Sequence, residues 1–412
     1  MQTLKTLFFL AASLLLVLPL NAQKLDMDKF PALSPRSIGP SGMSGRVTAI
    51  DVIESEPNTI FIGSASGGIW KTETGGLEWT PIFDDQAVAS IGSLCIYQAN
   101  PDIIWAGTGE GNPRNSLNSG YGIYKSIDGG KTWELKGLEK TRNIHRVIID
   151  PVNPDIVYVG AIGSPWGPHP ERGVYKTTDG GDTWEHILFT NEKTGCADLV
   201  MDPGNPNKLI AAMWEHQRWP WYLKSGGEGS AMHITWDGGK TWKKVGEKEG
   251  LPKGELGRMG LAIAASNSKR VYALVESEKN AFYRSNDGGM TWRKGAEENI
   301  GNRPFYYWDL FVDPNDEDRI YTLYSRVNKS EDGGNNFENF MRSSIHPDHH
   351  AFYISPANSD FMSDGNDGGL AITRDRGASW RFVTNLPLGQ FYHVNYDMEW
   401  PYNVYGGLQD NG

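Results

Sequence analysis

The chain has 412 residues, 39% of them hydrophobic, enough to build a sizeable core, and its 39 Lys and Arg against 50 Asp and Glu leave a formal charge of −11. An acidic chain without basic runs is a poor phosphate binder, which excludes nucleic acid as the expected partner. Two cysteines, Cys95 and Cys196, exclude a disulfide-stapled scaffold, so the fold must stand on its core.

The first residues, MQTLKTLFFLAASLLLVLPLNAQ, carry one cation at Lys5, an apolar run from Leu7 to Leu20, and the small residue Ala22 before Gln23. That is the pattern of a secretory signal peptide, residues 1–22, cut after Ala22. The run falls short of the roughly 20 residues of a comfortable membrane span, and no comparable run follows. No Cys follows the cut to carry a lipid anchor. The expected location is therefore secreted, periplasmic or on the cell surface, and residues 23–34 read as a linker.

From residue 35 to 388 the sequence repeats itself. One element recurs as TETGGLEW (72–79), SIDGGKTW (126–133), TTDGGDTW (177–184), TWDGGKTW (235–242), SNDGGMTW (285–292), SEDGGNNF (330–337) and TRDRGASW (373–380), a period of 43 to 58 residues. Such a period signals a repeat architecture. Upstream of most copies lies a Pro/Asn/Asp turn, as in ANPDIIW (99–105), DPVNPDIVY (150–158), DPGNPNKLI (202–210) and DPNDEDRIY (313–321). Each unit thus reads strand A, turn, strand B, loop, strand C, Asp-Gly-Gly hairpin, strand D. The third shows it plainly as HRVIID (145–150), IVYVGAI (156–162), GVYKTT (173–178) and TWEHILF (183–189).

Four short strands per unit with nothing helical between them predict an all-β fold, a β-propeller of about seven four-stranded antiparallel blades. Residues 389–412 read as two strands of an eighth unit, opening either a further blade or a second propeller. The Asp-Gly pair suits a two-residue primed hairpin turn, with Ser/Thr and Asp side chains accepting the turn's own N–H groups. The motif is therefore punctuation of the fold, not an active site.

Strand parity puts the A–B turns and the repeated hairpins on one face, here face two, and the B–C loops with the blade starts on the opposite face one. The B–C loops of blades two to four are long: TGEGNPRNSLNSGYG (108–122), GSPWGPHPERG (163–173) and EHQRWPWYLKSGGEGSA (215–231). Insertions gathered on one sector of one face predict a binding surface. Its candidates are Glu110, Trp166, His169, Arg172, Trp214, Glu215, His216, Arg218, Trp219, Trp221 and Tyr222. Flat aromatics beside Arg and Glu suit a sugar ring or a peptide. The blade starts add Arg46, Arg142, His145, Asp198, Arg258, Arg303, Tyr306, His346, Asp348 and His349 around the central channel.

The repeated copies resemble the Asp-box, or BNR repeat (S-x-D-x-G-x-T-W), of sialidases, two-propeller xyloglucanases and the Vps10 domain of sortilin. GTGEGNPRNS (107–116), HPDHHAFYISP (346–356), GNDGG (365–369) and YGGLQDNG (405–412) also resemble secreted bacterial proteins of the sortilin N-terminal, glycosyl-hydrolase-like type. Departures are Thr74 for Asp in the first copy, Phe337 for Trp in the sixth, and Arg376 for Gly in the seventh; they put those individual hairpins in doubt. The Vps10 resemblance implies ligand capture in the channel, and the xyloglucanase resemblance implies glycoside hydrolysis with part of the site on a second propeller.

The residues test these implications. Arg46, Arg258, Arg303, Tyr306 and Glu110 mimic a sialidase set, but Arg46 is followed by Val47-Thr48 rather than the Ile-Pro of sialidases. For a xyloglucanase, SGMSGRV (41–47) carries no acid where the first blade's catalytic aspartate belongs, and a second propeller would have to supply its partner. In HPDHH (346–350), His349 and His350 point to opposite faces of a strand and cannot share a metal. Asp364, Asn366 and Asp367 suggest Ca²⁺ yet lack its full ligand set, so an Asx-rich turn is the preferred reading and no cofactor is expected. Cys95 and Cys196, on inner strands of blades two and four, are expected as buried thiols.

These readings combine into a secreted propeller that binds a protein, peptide or glycan through face one and is non-catalytic over this span. The alternative is a glycoside hydrolase, xyloglucanase-like or sialidase-like, whose active site is completed outside this span.

Overall fold

The computed structural model describes residues 43–341 and 345–409. The signal-peptide and linker assignments lie outside the described residues.

Seven sheets each hold four strands in chain order, A to D, every pair antiparallel; the fourth adds one more strand. The innermost strands are Val47–Val52, Ile91–Ile96, Ile144–Ile149, Thr194–Asp202, Met259–Ile263, Leu310–Asp313 and His349–Ile354. The second strands, among them Ile60–Ser64, Ile104–Thr108 and Val157–Ala161, are buried at every position. A neighbouring blade covers each side of the sheet, so these segments are continuously apolar instead of alternating. The outermost strands, such as Thr80–Pro81 and Arg293–Lys294, are short and exposed, which limits the unpaired edges to a few residues.

The ring closes at seven, which settles the open blade number. Val47, Val52, Ile60 and Ile62 of the first blade share one core cluster with Leu370, Ile372 and Val383 of the seventh. Ser44 N–H donates to the Gly368 carbonyl at 2.9 Å and Ser44 Oγ to the Leu386 carbonyl at 2.9 Å. No strand is shared across the closure; each blade keeps all its strands in its own sheet. The expected eighth unit is a separate hairpin, Phe391–Tyr396 with Val404–Leu408, and is largely exposed.

The repeated motif folds the same way in every blade, although not as a two-residue turn. Strand C of blade two ends at Ser126 and strand D starts at Glu134, so the connection is a longer loop wound around the Asp. Thr132 donates to the Asp128 carboxylate through its N–H at 2.9 Å and its hydroxyl at 2.6 Å, while Gly130 N–H donates to Ser126 Oγ at 2.9 Å. Both glycines take positive φ, 70° at Gly129 and 88° at Gly130, a region other residues enter at a cost. The three altered copies keep this shape. Thr74 Oγ1 accepts the Glu78 N–H at 2.9 Å in place of the carboxylate, Arg376 adopts φ 56°, and Phe337 packs edge-on against Phe282 at 5.1 Å.

The hairpins are tied to the A–B turns: Gly129 N–H donates to the Asp102 carbonyl at 3.0 Å and Gly180 N–H to Asp155 at 3.0 Å. Both features therefore lie on face two, as parity requires. The indole of Trp133 then reaches back to the preceding blade, donating to the Ile82 carbonyl at 2.7 Å, and Trp184 does the same to Lys136 at 2.6 Å.

Gly334 tests the motif's geometry: its φ is 85° and an added Cβ would lie 1.9 Å from Phe282 Cε1. Gly334→Ala is expected to cost about 2–4 kcal/mol from the left-handed backbone and overpacking together. Gly246→Ala, whose Cβ would meet nothing within 4 Å, should change stability by less than about 0.5 kcal/mol. Urea midpoints check both; equal midpoints would refute this account of the hairpin.

Candidate functional site

Strand A of every blade begins on face one, so seven sets of polar side chains meet around the axis there. They form one connected layer. Arg46 of the first blade donates to Tyr306 Oη at 2.9 Å and lies 3.1 Å from Glu110, with Asp367 3.6 Å away. Tyr306 donates to Asp367 at 2.7 Å, and His350 joins Asp367 at 2.9 Å and Asn112 at 3.1 Å. Arg258 donates to Asn112 Oδ1 at 2.8 Å and contacts His145 Nε2 at 3.2 Å. His145 lies 3.7 Å from Asp309, which pairs with Arg146, and Arg146 donates to Asp198 at 2.7 Å. Each blade supplies at least one member.

Burial sets the protonation behaviour. Desolvation pushes the Glu110 carboxyl up, and the charge of Arg46 offsets this only in part. At Asp367 desolvation acts in the same direction, but the His350 hydrogen bond and the charges on His350 and Arg46 prevail and hold it well below the ordinary range. His145 falls to about 3 because burial and the charge on Arg146 oppose protonation. Below this layer a channel of about 440 Å³ runs along the axis, its wall supplied by all seven inner strands, including Thr48, Ser93, Asp198, Leu261, Phe311 and His350.

The three long inserts brace one another above the layer. The blade-four insert is no loop: strand B runs on as Asn205–Trp219 and pairs with Tyr222–Ser225, a hairpin with Pro220 and Trp221 at its tip. Arg218 N–H donates to the Pro165 carbonyl of the third blade at 2.7 Å, and Arg218 Nε to Asn115 of the second at 2.8 Å. Trp219 and Tyr222 stack at 6.0 Å, Trp221 is 82% exposed, and Trp166 and Tyr222 are also exposed.

Several sequence candidates have other duties. Trp214 is fully buried, stacked on His216 at 4.2 Å under Arg258. Arg172 is buried and binds the carbonyls of Ser164, His216 and Gly167, holding its own loop. Glu215 accepts the Gly229 N–H at 3.1 Å, and His169 lies 3.6 Å from Glu171. Arg142 is exposed and joins no part of the layer, its carbonyl taking the Gly120 N–H. His346 contacts the Pro347 carbonyl, and the Asp348 carbonyl accepts the Asp367 N–H at 3.0 Å.

The cation candidates are drawn apart. Asp364 pairs with His349 at 2.8 Å and accepts from Asn366 at 2.8 Å, whereas Asp367 turns to Tyr306 and His350. Among the described residues no group of three or more His, Cys, Asp or Glu could hold a metal ion. Cys95 and Cys196 are free thiols, the first half-buried and the second buried, and burial pushes Cys95 up to about 12.

Asn112, Arg114, Arg146, Asp309 and His350 are members of this face that sequence reasoning passed over. Arg146 and His350 each follow a candidate by one residue; His145 and Arg146 both reach Asp309, a convergence that strand alternation alone does not signal.

With this geometry in hand, similarity to known proteins adds a family context. Residues 121–249 match the family model described as sortilin, neurotensin receptor 3. The xyloglucanase Xgh74A of Acetivibrio thermocellus is 24% identical over 370 residues, 77% of this chain and 41% of that protein. The chain spans less than half the length of the curated relatives it matches. Among solved structures, the GH74 xyloglucanase from Xanthomonas campestris superimposes with a TM-score of 0.65 at 16% identity, over 90% of this chain and 59% of that one. YCF48 from Cyanidioschyzon merolae gives a TM-score of 0.54 at 13% identity, over 82% of this chain and 98% of its own. These likenesses establish the propeller fold.

The His145 environment sets a pH dependence. Folded His145 stays neutral down to about pH 3, while the unfolded chain protonates it near 6.5. Acidification through that window therefore favours unfolding, by ~1.4 kcal/mol per pH unit for each such proton. His145→Gln should flatten the slope of unfolding free energy by that amount between about pH 6 and 4.5. An unchanged slope in urea titrations across this range would refute the assignment.

Proposed function

We propose that this chain is one propeller of a secreted glycoside hydrolase of the xyloglucanase type, and that its face one holds the glycan. The sequence relationship to xyloglucanases over 77% of the chain supports the hydrolase reading over simple ligand capture. The observation that carries the binding surface is the braced aromatic sector on face one, where Trp166, Trp219, Trp221 and Tyr222 sit opposite the repeated hairpins. Sugar rings present apolar C–H faces that stack on such rings at little conformational cost. The rigid ring beneath keeps the aromatics at fixed spacing.

The chemistry needs carboxylates that reach the substrate. Glu110 and Asp367 are buried beneath the loops and engaged by Arg46, so this propeller's part is to bind and orient. The exposed hairpin at 391–408, with Tyr392, Val394, Tyr396 and Tyr405 outward, supports a role in joining further β-structure, since two strands alone are marginal in water.

The test is reducing-sugar release from xyloglucan by the full-length protein. Hydrolysis is expected, and Trp221→Ala should raise KM about fivefold with kcat little changed, the loss of ~1 kcal/mol of stacking. Failure to cleave or retain xyloglucan and other β-glucans would overturn the reading.

A further inference from the structure

Beside the aromatic sector lies a second concavity, about 460 Å³, of different character. Three guanidinium groups line it: Arg114 from the second blade's insert, Arg218 from the fourth's, and Arg303 from the start of the sixth blade. Its remaining walls include Phe305, Tyr306 and Tyr392. In a chain of net charge −11, three arginines gather around this one pocket, and among the described residues no acidic side chain lines it.

Arg218 and Arg303 are held in place by neutral or aromatic partners, and Arg114 by Tyr306 and Asp367. Arg218 donates to Asn115 Oδ1 and lies 5.4 Å from the Phe305 ring centroid. Arg303 donates to Tyr307 Oη at 3.2 Å and sits 5.4 Å from the same Phe305 ring. Arg114 donates to Tyr306 Oη and is 3.6 Å from Asp367, so part of its charge is met below the pocket. Arg218 and Arg303 make no ion pair among the described residues. Arg218 is harder to keep protonated than usual, through partial burial and the charge of Arg114.

Orienting groups that hold cations without neutralising them preorganise a site for an anion. Guanidinium forks match the planar carboxylate bidentately, while the rings of Phe305 and Tyr392 offer flat surfaces to a sugar. We infer that this pocket binds the carboxylate of an acidic saccharide, a uronic acid residue, using Arg114, Arg218 and Arg303. The inference rests on the reading that face one takes a glycan, and it adds a charged unit to what that glycan carries.

The test is calorimetric titration of the full-length protein with tetragalacturonate, its methyl ester, and inorganic phosphate. The acid is expected to bind at least tenfold tighter than the ester, and phosphate is expected not to compete. Arg303→Gln should weaken the acid at least fivefold with the thermal midpoint unchanged, and Arg218→Gln, which also loses its bond to Asn115, should weaken it at least as much. Arg293→Gln, which removes the same charge from an exposed outer strand, should leave binding as it was. Equal binding of acid and ester, or an equal loss in Arg293→Gln, would overturn the inference. Phosphate competing on equal terms would overturn the saccharide assignment and leave a simple anion site. Xyloglucan cleavage is read on the same variants: intact cleavage without uronate binding sinks this inference alone, whereas uronate binding without cleavage sinks the hydrolase reading alone.

Discussion

One layer of hydrogen bonds and ion pairs joins all seven blades, and it gives the ring a directionality that apolar packing lacks. The hydrophobic clusters mostly bind adjacent sheets, as where Ile210 and Ile234 of the fourth blade pack with Val271 and Ala273 of the fifth. Such contacts tolerate sliding, because apolar burial has no direction. The layer running from Asp198 through Arg146, Asp309, His145, Arg258, Asn112, His350 and Asp367 to Arg46 and Glu110 has strict geometry. A buried ion pair adds little net stability over apolar groups of equal size, but a stranded charge costs about 3–5 kcal/mol. Because its members come from all seven blades, the layer ties the position of each blade to the others.

The two faces then divide their labour by constraint. On face two, every hairpin is committed to the A–B turn of its own blade, and the indoles of Trp133 and Trp184 to a carbonyl of the preceding blade. A change there disturbs both local turn and inter-blade contact. On face one the B–C connections share no repeated turn: apart from the groups they send into the axial layer, such as Glu110, Asn112 and Asp367, they are free to vary, and their lengths range from the two residues Asp367 and Gly368 in blade seven to the extended hairpin of blade four. Long inserts alone would be mobile. Here Arg218 ties three of them together, which turns loops into an ordered surface.

How much of this was legible in the sequence follows from the range of the interactions. The blade plan is written locally: Ser126, Asp128, Gly130 and Thr132 bond to one another within seven residues, so each copy announces its own turn. Face assignment followed from counting strands. The copies with Thr74, Phe337 and Arg376 folded normally because a hydroxyl, another aromatic ring and a tolerated positive φ replaced the missing group. The axial layer is different. Arg46 meets Glu110 and Tyr306 across separations of 64 and 260 residues, and no spacing in the chain encodes that meeting. Composition also cannot tell Trp214, sealed in the core, from Trp221 at a hairpin tip seven positions on; strand B's unforeseen extension decides which is exposed.

The same distinction between burial and exposure governs the chemistry. Glu110 and Asp367 share Arg46, yet the first is pushed up and the second held down, a divergence that in an open cleft would mark an acid and its ionised partner. Their surroundings remove that meaning, for relative exposures of 1% and 3% leave no room for a glycosidic oxygen between them. The split instead records which carboxylate faces His350 and Tyr306 as well as Arg46. Above them, Arg218 and Arg303 are the reverse case: charged groups at a solvent-facing pocket, without carboxylate partners among the described residues. A buried charge finds its partner within the fold, whereas a guanidinium at the rim stays open to solvent, so the acids of this face serve its structure while its arginines and rings are the groups left to meet a ligand.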